Sequence, residues 1–169
     1  MTREGKATAT SKKHEERALG MAVRAVDNEV AGTKMKIHAI IETAIYVDDL
    51  DAAADFYGRI LGLRVMGKEP GRHVFFQVGD RSVLLAFLPE ATLRGDRLPS
   101  HGAAGPGHFA LGIDRQSLDA WRLRLEANGV PIEKELEWPT GGKSVYFRDP
   151  ARNLVELITP GVWGLPTGW

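Results

Sequence analysis

The chain has 169 residues, 43% of them hydrophobic, and its 22 basic residues balance 22 acidic ones. Neutrality removes the electrostatic case for nucleic acid or an anionic membrane as partner. The absence of cysteine excludes disulfides, thiolate metal sites and a cysteine nucleophile. No apolar run reaches the roughly 18–20 residues of a membrane span, and the N-terminus lacks a signal-peptide-like apolar region, so a soluble cytoplasmic protein is the expectation.

Residues 1–36 stand apart from the rest. Residues 1–13 are polar and follow no period, which reads as a tail. Over 14–30, Leu19, Met21, Ala22, Val23, Ala25, Val26 and Val30 fit one side of a helix, ended by Ala31-Gly32-Thr33. Such a helix either lies on its own domain or docks a partner.

The domain proper spans 37–164. Its first module, 37–88, reads as a strand over 37–47, then a helix capped by Asp48 or Asp49. Leu50, Ala53, Ala54, Tyr57, Ile60 and Leu61 recur at helical spacing, and Gly62 stops the helix. Strands follow over 63–68, 73–78 and 82–88, separated by turn residues. Residues 89–106, with their prolines, glycines and scattered charge, read as a linker.

The same order then returns over 107–160. A strand over 107–114 precedes a helix over 117–128, with Ser117 as its cap, Leu118, Trp121 and Leu125 on one face and Gly129 as its stop. Strands follow over 130–136, 144–148 and 153–159, and 165–169 form a tail. Glu42 falls on His108, Ala44 on Ala110, Phe75-Phe76 on Tyr146-Phe147, and Leu85 on Glu156. Internal repetition of this kind speaks to the whole fold. The expected class is α+β, with two βαβββ modules forming a cup-shaped mixed sheet and helices outside.

Three residues at equivalent strand positions carry metal-ligand chemistry: Glu42, His108 and Glu156. Each carboxylate sits in an apolar strand, where it is costly unless paired, bound to a cation or exposed at an edge. A histidine in such a strand is, by itself, more often a core residue than a ligand. Together, one imidazole and two carboxylates suit manganese, iron, nickel, cobalt or zinc, with positions left open for water and substrate. His101, in the linker, reads as a fourth ligand, a general base or a plain loop residue. Arg72, Phe75, Trp138, Lys143 and Tyr146 read either as walls and charges of a substrate pocket or as core aromatics and solvated charges. Gly141-Gly142-Lys143-Ser144 lacks the upstream glycine and following helix of a phosphate loop.

Tyr46-Val47-Asp48-Asp49-Leu50, Phe56-Tyr57, Leu61-Gly62-Leu63, Gly107-His108-Phe109-Ala110, Phe147-Arg148-Asp149-Pro150 and Asn153-Leu154-Val155-Glu156-Leu157 resemble the vicinal oxygen chelate superfamily. That superfamily includes glyoxalase I, fosfomycin- and bleomycin-resistance proteins and extradiol dioxygenases. The resemblance implies paired βαβββ modules, frequent homodimers, a small-molecule substrate, and a divalent metal on Glu42, His108 and Glu156; Glu156 and, from its place in the loop, His101 are the catalytic candidates. The implied activity is a glyoxalase- or dioxygenase-like lyase, isomerase or dioxygenase acting on vicinal oxygens. The other branch binds a drug without turnover, as bleomycin-resistance proteins do. Glyoxalase I carries a ligand on the fourth strand of its first module, where Leu85 stands here. The sequence leaves open whether the cup closes within one chain or across two.

Overall fold

A computed structural model describes residues 37–94 and 99–165, together with Glu29–Val30 and Thr33–Lys34. The chain divides into two compact units, Met1–Ala39 and Ile40–Trp169. In the first, β1 (Glu29–Val30) and β2 (Thr33–Lys34) pair antiparallel. The expected helix over 14–30 lies outside the described residues except at Glu29–Val30, which are strand rather than helix.

The second unit holds two four-stranded mixed sheets. One contains β3 (Glu42–Tyr46), β4 (Arg64–Glu69), β5 (His73–Val78) and β6 (Ser82–Phe87), in the order β3-β6-β5-β4. The other contains β7 (His108–Gly112), β8 (Ile132–Glu137), β9 (Lys143–Arg148) and β10 (Leu154–Ile158), in the order β7-β10-β9-β8. In each, the first strand runs parallel to the fourth and the remaining pairs are antiparallel. Both second strands carry a register shift, between Val65 and Gly67 and between Ile132 and Lys134, at equivalent points opposite Phe76 and Phe147. The structure thus shows the expected α+β class, with two βαβββ modules.

Helix α1 (Leu50–Ala53) starts where Asp49 accepts hydrogen bonds from the backbone N–H groups of Asp51 and Ala52. It continues over Ala54–Ile60 in wider turns, ending with the Leu61 N–H on the Phe56 carbonyl. Gly62 follows at φ 73°, a conformation that costs glycine nothing. Pro89–Leu93, expected as linker, form a short helix α2. Helix α3 (Leu118–Ala127) is preceded by a single tight turn, Arg115–Ser117. Ser117 does not cap it: its hydroxyl donates to the Asp114 carbonyl, so it is spent on the turn. The first strand begins at Glu42, not at 37, and residues 37–41 are not strand, although the Ile41 carbonyl accepts from the Val83 N–H.

One core serves both modules. Ile45, Val74, Phe76, Leu84 and Ala86 from the first sheet share it with Val145, Phe147, Val155 and Leu157 from the second, and with Phe56, Tyr57 and Leu125 from the helices. Each valine, leucine, isoleucine or phenylalanine among them contributes about 1.5–3 kcal/mol by leaving water. Tyr57, fully buried, lies edge-on to Phe56 with centroids 5.1 Å apart and meets Phe109 of the other module at 6.2 Å. Arg124 of α3 donates to the Ile60 and Arg59 carbonyls, closing the end of α1 where its free carbonyls gather. The period-two alternation leaves the other face of each sheet open, and Glu42, Phe75, His108, Tyr146 and Glu156 lie there.

Candidate metal centre

The open faces are compared row by row, because cross-strand partners share a face. In module one a row runs Ala44–Leu85–Phe75–Gly67; in module two the corresponding row runs Ala110–Glu156–Tyr146–Lys134. One position along the first strands stand Glu42, opposite Val83, and His108, opposite Leu154. Leu85 therefore occupies the place of Glu156.

Parallel pairing of β7 with β10 brings His108 to Glu156. His108 Nε2 lies 3.4 Å from Glu156 Oε2, while Tyr146 donates its hydroxyl hydrogen to Oε1 at 3.0 Å. His108 Nδ1 lies 3.2 Å from the Leu154 carbonyl. A carbonyl can only accept, so Nδ1 carries a proton, and Nε2 is the ring nitrogen that faces the carboxylate. The Glu156 side chain is 7% exposed, and among the described residues no lysine or arginine pairs with it. Burial, then the hydrogen bond to Glu156, pushes the Tyr146 phenol above its ordinary pKa and keeps it a donor.

Glu42 does not join them. Among the described residues no three histidine, aspartate or glutamate side chains are close enough to hold one ion. Asn153 explains this. Its side-chain amide donates to the Tyr46 carbonyl at the end of β3, and its Oδ1 accepts from the Gly107 N–H at the start of β7. The second module begins where the first strand ends, so His108 lies near the far end of β3 and Glu42 four residues back, roughly 13 Å of extended chain. Glu42 is exposed.

Asn153 itself was not visible as more than a strand residue. It is 2% exposed and also donates to Asp149, whose carboxylate accepts the Tyr57 hydroxyl hydrogen at 2.7 Å. A polar residue directly after the Asp149-Pro150 turn is the signal that could have singled it out. This buried network ties α1 to the turn before β10 and to the residue preceding His108.

The other candidates are spread out. His101 sits 2.7 Å from the Tyr46 hydroxyl and edge-on to Phe87 at 5.0 Å, so it covers the module-one face and does not reach His108 as a fourth ligand. Phe75 stacks on His73 at 3.9 Å. Arg72 lies 4.0 Å from Glu69, Lys143 3.4 Å from Glu137, and Trp138 donates to the Ser144 hydroxyl. Of the five expected pocket residues, only Tyr146 touches the His108–Glu156 pair. A cavity of about 800 Å³ opens elsewhere, lined by Val47, Leu88, Leu93, Pro106 and Ala151 among others, and none of the five borders it.

Residues 39–157 match the Glyoxalase/Bleomycin resistance protein/Dioxygenase superfamily. The chain belongs to this superfamily. It is similar to the crystal structure of lactoylglutathione lyase from Agrobacterium tumefaciens, with 45% identity and a TM-score of 0.74 over 78% of this chain and 100% of that one. It is 28% identical to the metallothiol transferase FosB of Shouchella clausii over 73% of this chain and 81% of that protein. It is 27% identical to the putative ring-cleaving dioxygenase MhqE of Bacillus subtilis over 68% of this chain, but spans only 39% of that protein. No helix among the described residues is long and apolar enough to cross a membrane.

Members of the superfamily typically use divalent metal ions, and His108 and Glu156 are of the side-chain types that ligate them. The imidazole Nε2 and a buried carboxylate oxygen face each other at 3.4 Å. Two acceptors at that distance repel unless a cation or a proton lies between them. The Leu154 carbonyl beyond His108 and the Tyr146 hydroxyl beyond Glu156 are partners of the kind that hold metal-binding side chains in orientation.

Proposed function

We propose that this chain is a divalent-metal-dependent enzyme acting on a small substrate through two neighbouring oxygens. The observation that carries this is the facing pair of His108 Nε2 and buried Glu156 Oε2, each oriented by a partner behind it. A bound ion of the manganese, iron, nickel, cobalt or zinc type supplies Lewis acidity toward substrate oxygens and leaves coordination positions open. His108 offers a fixed lone pair. Glu156 offers one oxygen while Tyr146 occupies the other, and Tyr146 stays protonated at neutral pH. The relatives named above support an enzyme; this reading takes lyase, isomerase or dioxygenase chemistry as the class and lactoylglutathione as the first compound to try.

The same reading makes the working form a homodimer. Glu42 is an exposed carboxylate on an open sheet face, too far along β3 to meet His108 in its own chain. A second copy related by a two-fold axis brings its β3 to the pair, and each of the two sites then takes residues from both copies.

Elemental analysis of the purified full chain beside His108→Ala and Glu156→Ala variants tests the ion. About one transition metal per chain, lost in both variants with the fold retained, is expected. No metal after reconstitution with manganese, iron, nickel and zinc would overturn the reading and favour ligand binding without turnover. Mixing Glu42→Ala with His108→Ala protein tests the shared site. Subunit exchange should restore roughly a quarter of the sites, since one site of each mixed dimer is intact. No restoration despite exchange would place Glu42 outside the site.

A further inference from the structure

The two halves of the duplication share a register but not a chemistry. Where module two carries glutamate, tyrosine and lysine in one row, module one carries Leu85, Phe75 and Gly67. The next row of module one is Tyr46–Phe87–His73, against Gly112–Ile158–Ser144. Five rings meet on this face. Phe75 stacks on His73 at 3.9 Å and 9°, Phe87 meets Phe75 edge-on at 5.4 Å, and His101 closes on Phe87 and Tyr46.

The geometry points to module one as the seat of a planar aromatic ring on the substrate. Phe75 is half-buried and held in place: His73 stacks on it, Phe87 packs against it at a steep angle, and among the described residues no third ring contacts it. The row containing it ends in alanine on one side and glycine on the other. A side chain built at Gly67 would meet nothing within 4 Å, so space lies beside Phe75 where the fold could have placed an ordinary residue. An immobilised ring with open space beside it binds another ring by offset or edge-on stacking. The polar row of module two then takes the oxygens and the apolar row of module one takes the ring. This deepens the proposed function by naming the substrate class; only the placement of the oxygens rests on that function.

Phenol and cyclohexanol, with the same hydroxyl on a flat and on a puckered ring, separate the ring seat from the metal. Chemical-shift titrations of the full chain, before and after chelation, should show phenol binding about tenfold more tightly, with the largest shifts around Phe75 and Leu85. Gly67→Leu, which fills open space and leaves the core untouched, should abolish the preference, and Phe75→Ala should reduce it. His108→Ala/Glu156→Ala protein should retain it. Equal affinities, shifts centred on module two, or a preference that survives Gly67→Leu would overturn the proposal. A phenol preference in a protein that takes up no metal would sustain the ring seat while removing the enzyme reading.

Discussion

Leu85 and Glu156 occupy one position in two copies of the same unit. Leu85 lies opposite Ala44 and Phe75, and Glu156 opposite Ala110 and Tyr146. Leu85→Glu would restore a second fourth-strand carboxylate. Without metal the variant should lose about 1–3 kcal/mol, because a half-buried carboxylate gains no partner. With metal it should melt higher than the parent, and this gain should vanish when Glu42 is also replaced by alanine. Thermal melts with and without manganese decide it; a variant indifferent to metal would separate Leu85 from any ion site.

Tyr146→Phe removes the donor to Glu156 Oε1 and nothing else on that carboxylate. Loss of a partner that orients a metal ligand typically weakens metal affinity ten- to a hundredfold. Calorimetric titration of the metal-free variant should show a loss of that order, beyond the about 1–3 kcal/mol of folding stability that the lost hydrogen bond itself costs. An unaltered affinity would mean that Tyr146 does not hold the carboxylate in place.

Tyr57→Phe keeps the ring contacts with Phe56, Phe76 and Phe109 but leaves Asp149, 3% exposed, without its hydroxyl donor. The expected cost is about 1–3 kcal/mol in urea unfolding. Burial, with Asp149 adding to it, pushes the Tyr57 phenol well above its ordinary pKa, so the bond persists across the usable pH range.

Much of this arrangement was legible in the residues, and some of it was not. Period-two alternation located the strands, and the match of Leu85 to Glu156 follows from pairing Phe75-Phe76 with Tyr146-Phe147. His108 and Glu156 met as their strand positions implied. Glu42 did not, because alignment of two copies shows equivalence and not distance. A two-fold relation brings together equivalent residues near its axis and separates those at strand ends. Helix α2 was hidden by its opening proline, which suits the first turn of a helix as well as a linker. The Tyr57–Asp149–Asn153 network joins segments far apart in the chain, so no local pattern announces it.

His73 gives a pH signature independent of the candidate site. Burial holds its pKa below the usual histidine value; Glu69, 3.6 Å from Nδ1, works against that shift and Arg72 adds to it. The native state keeps the ring neutral while the unfolded chain takes up a proton below about pH 6.5. Stability from this residue is therefore complete above pH 6.5 and declines as pH falls below it. His73→Gln should flatten the difference in urea midpoint between pH 7.5 and 5.5. An equal slope in variant and parent would assign the acid limb to other groups.

Asn153 grips the end of one module's first strand and the start of the other's, and Tyr57 of the first module is bonded to Asp149 of the second. In an array of repeats, each unit can melt with only its neighbours noticing. Here neither βαβββ unit retains a core of its own, since Phe56 rests on Phe147 and Tyr57 on Phe109. Calorimetry of residues 40–165 should therefore record a single transition whose van't Hoff and calorimetric enthalpies agree. The ancestral halves persist as a visible pattern, but as folding units they have merged.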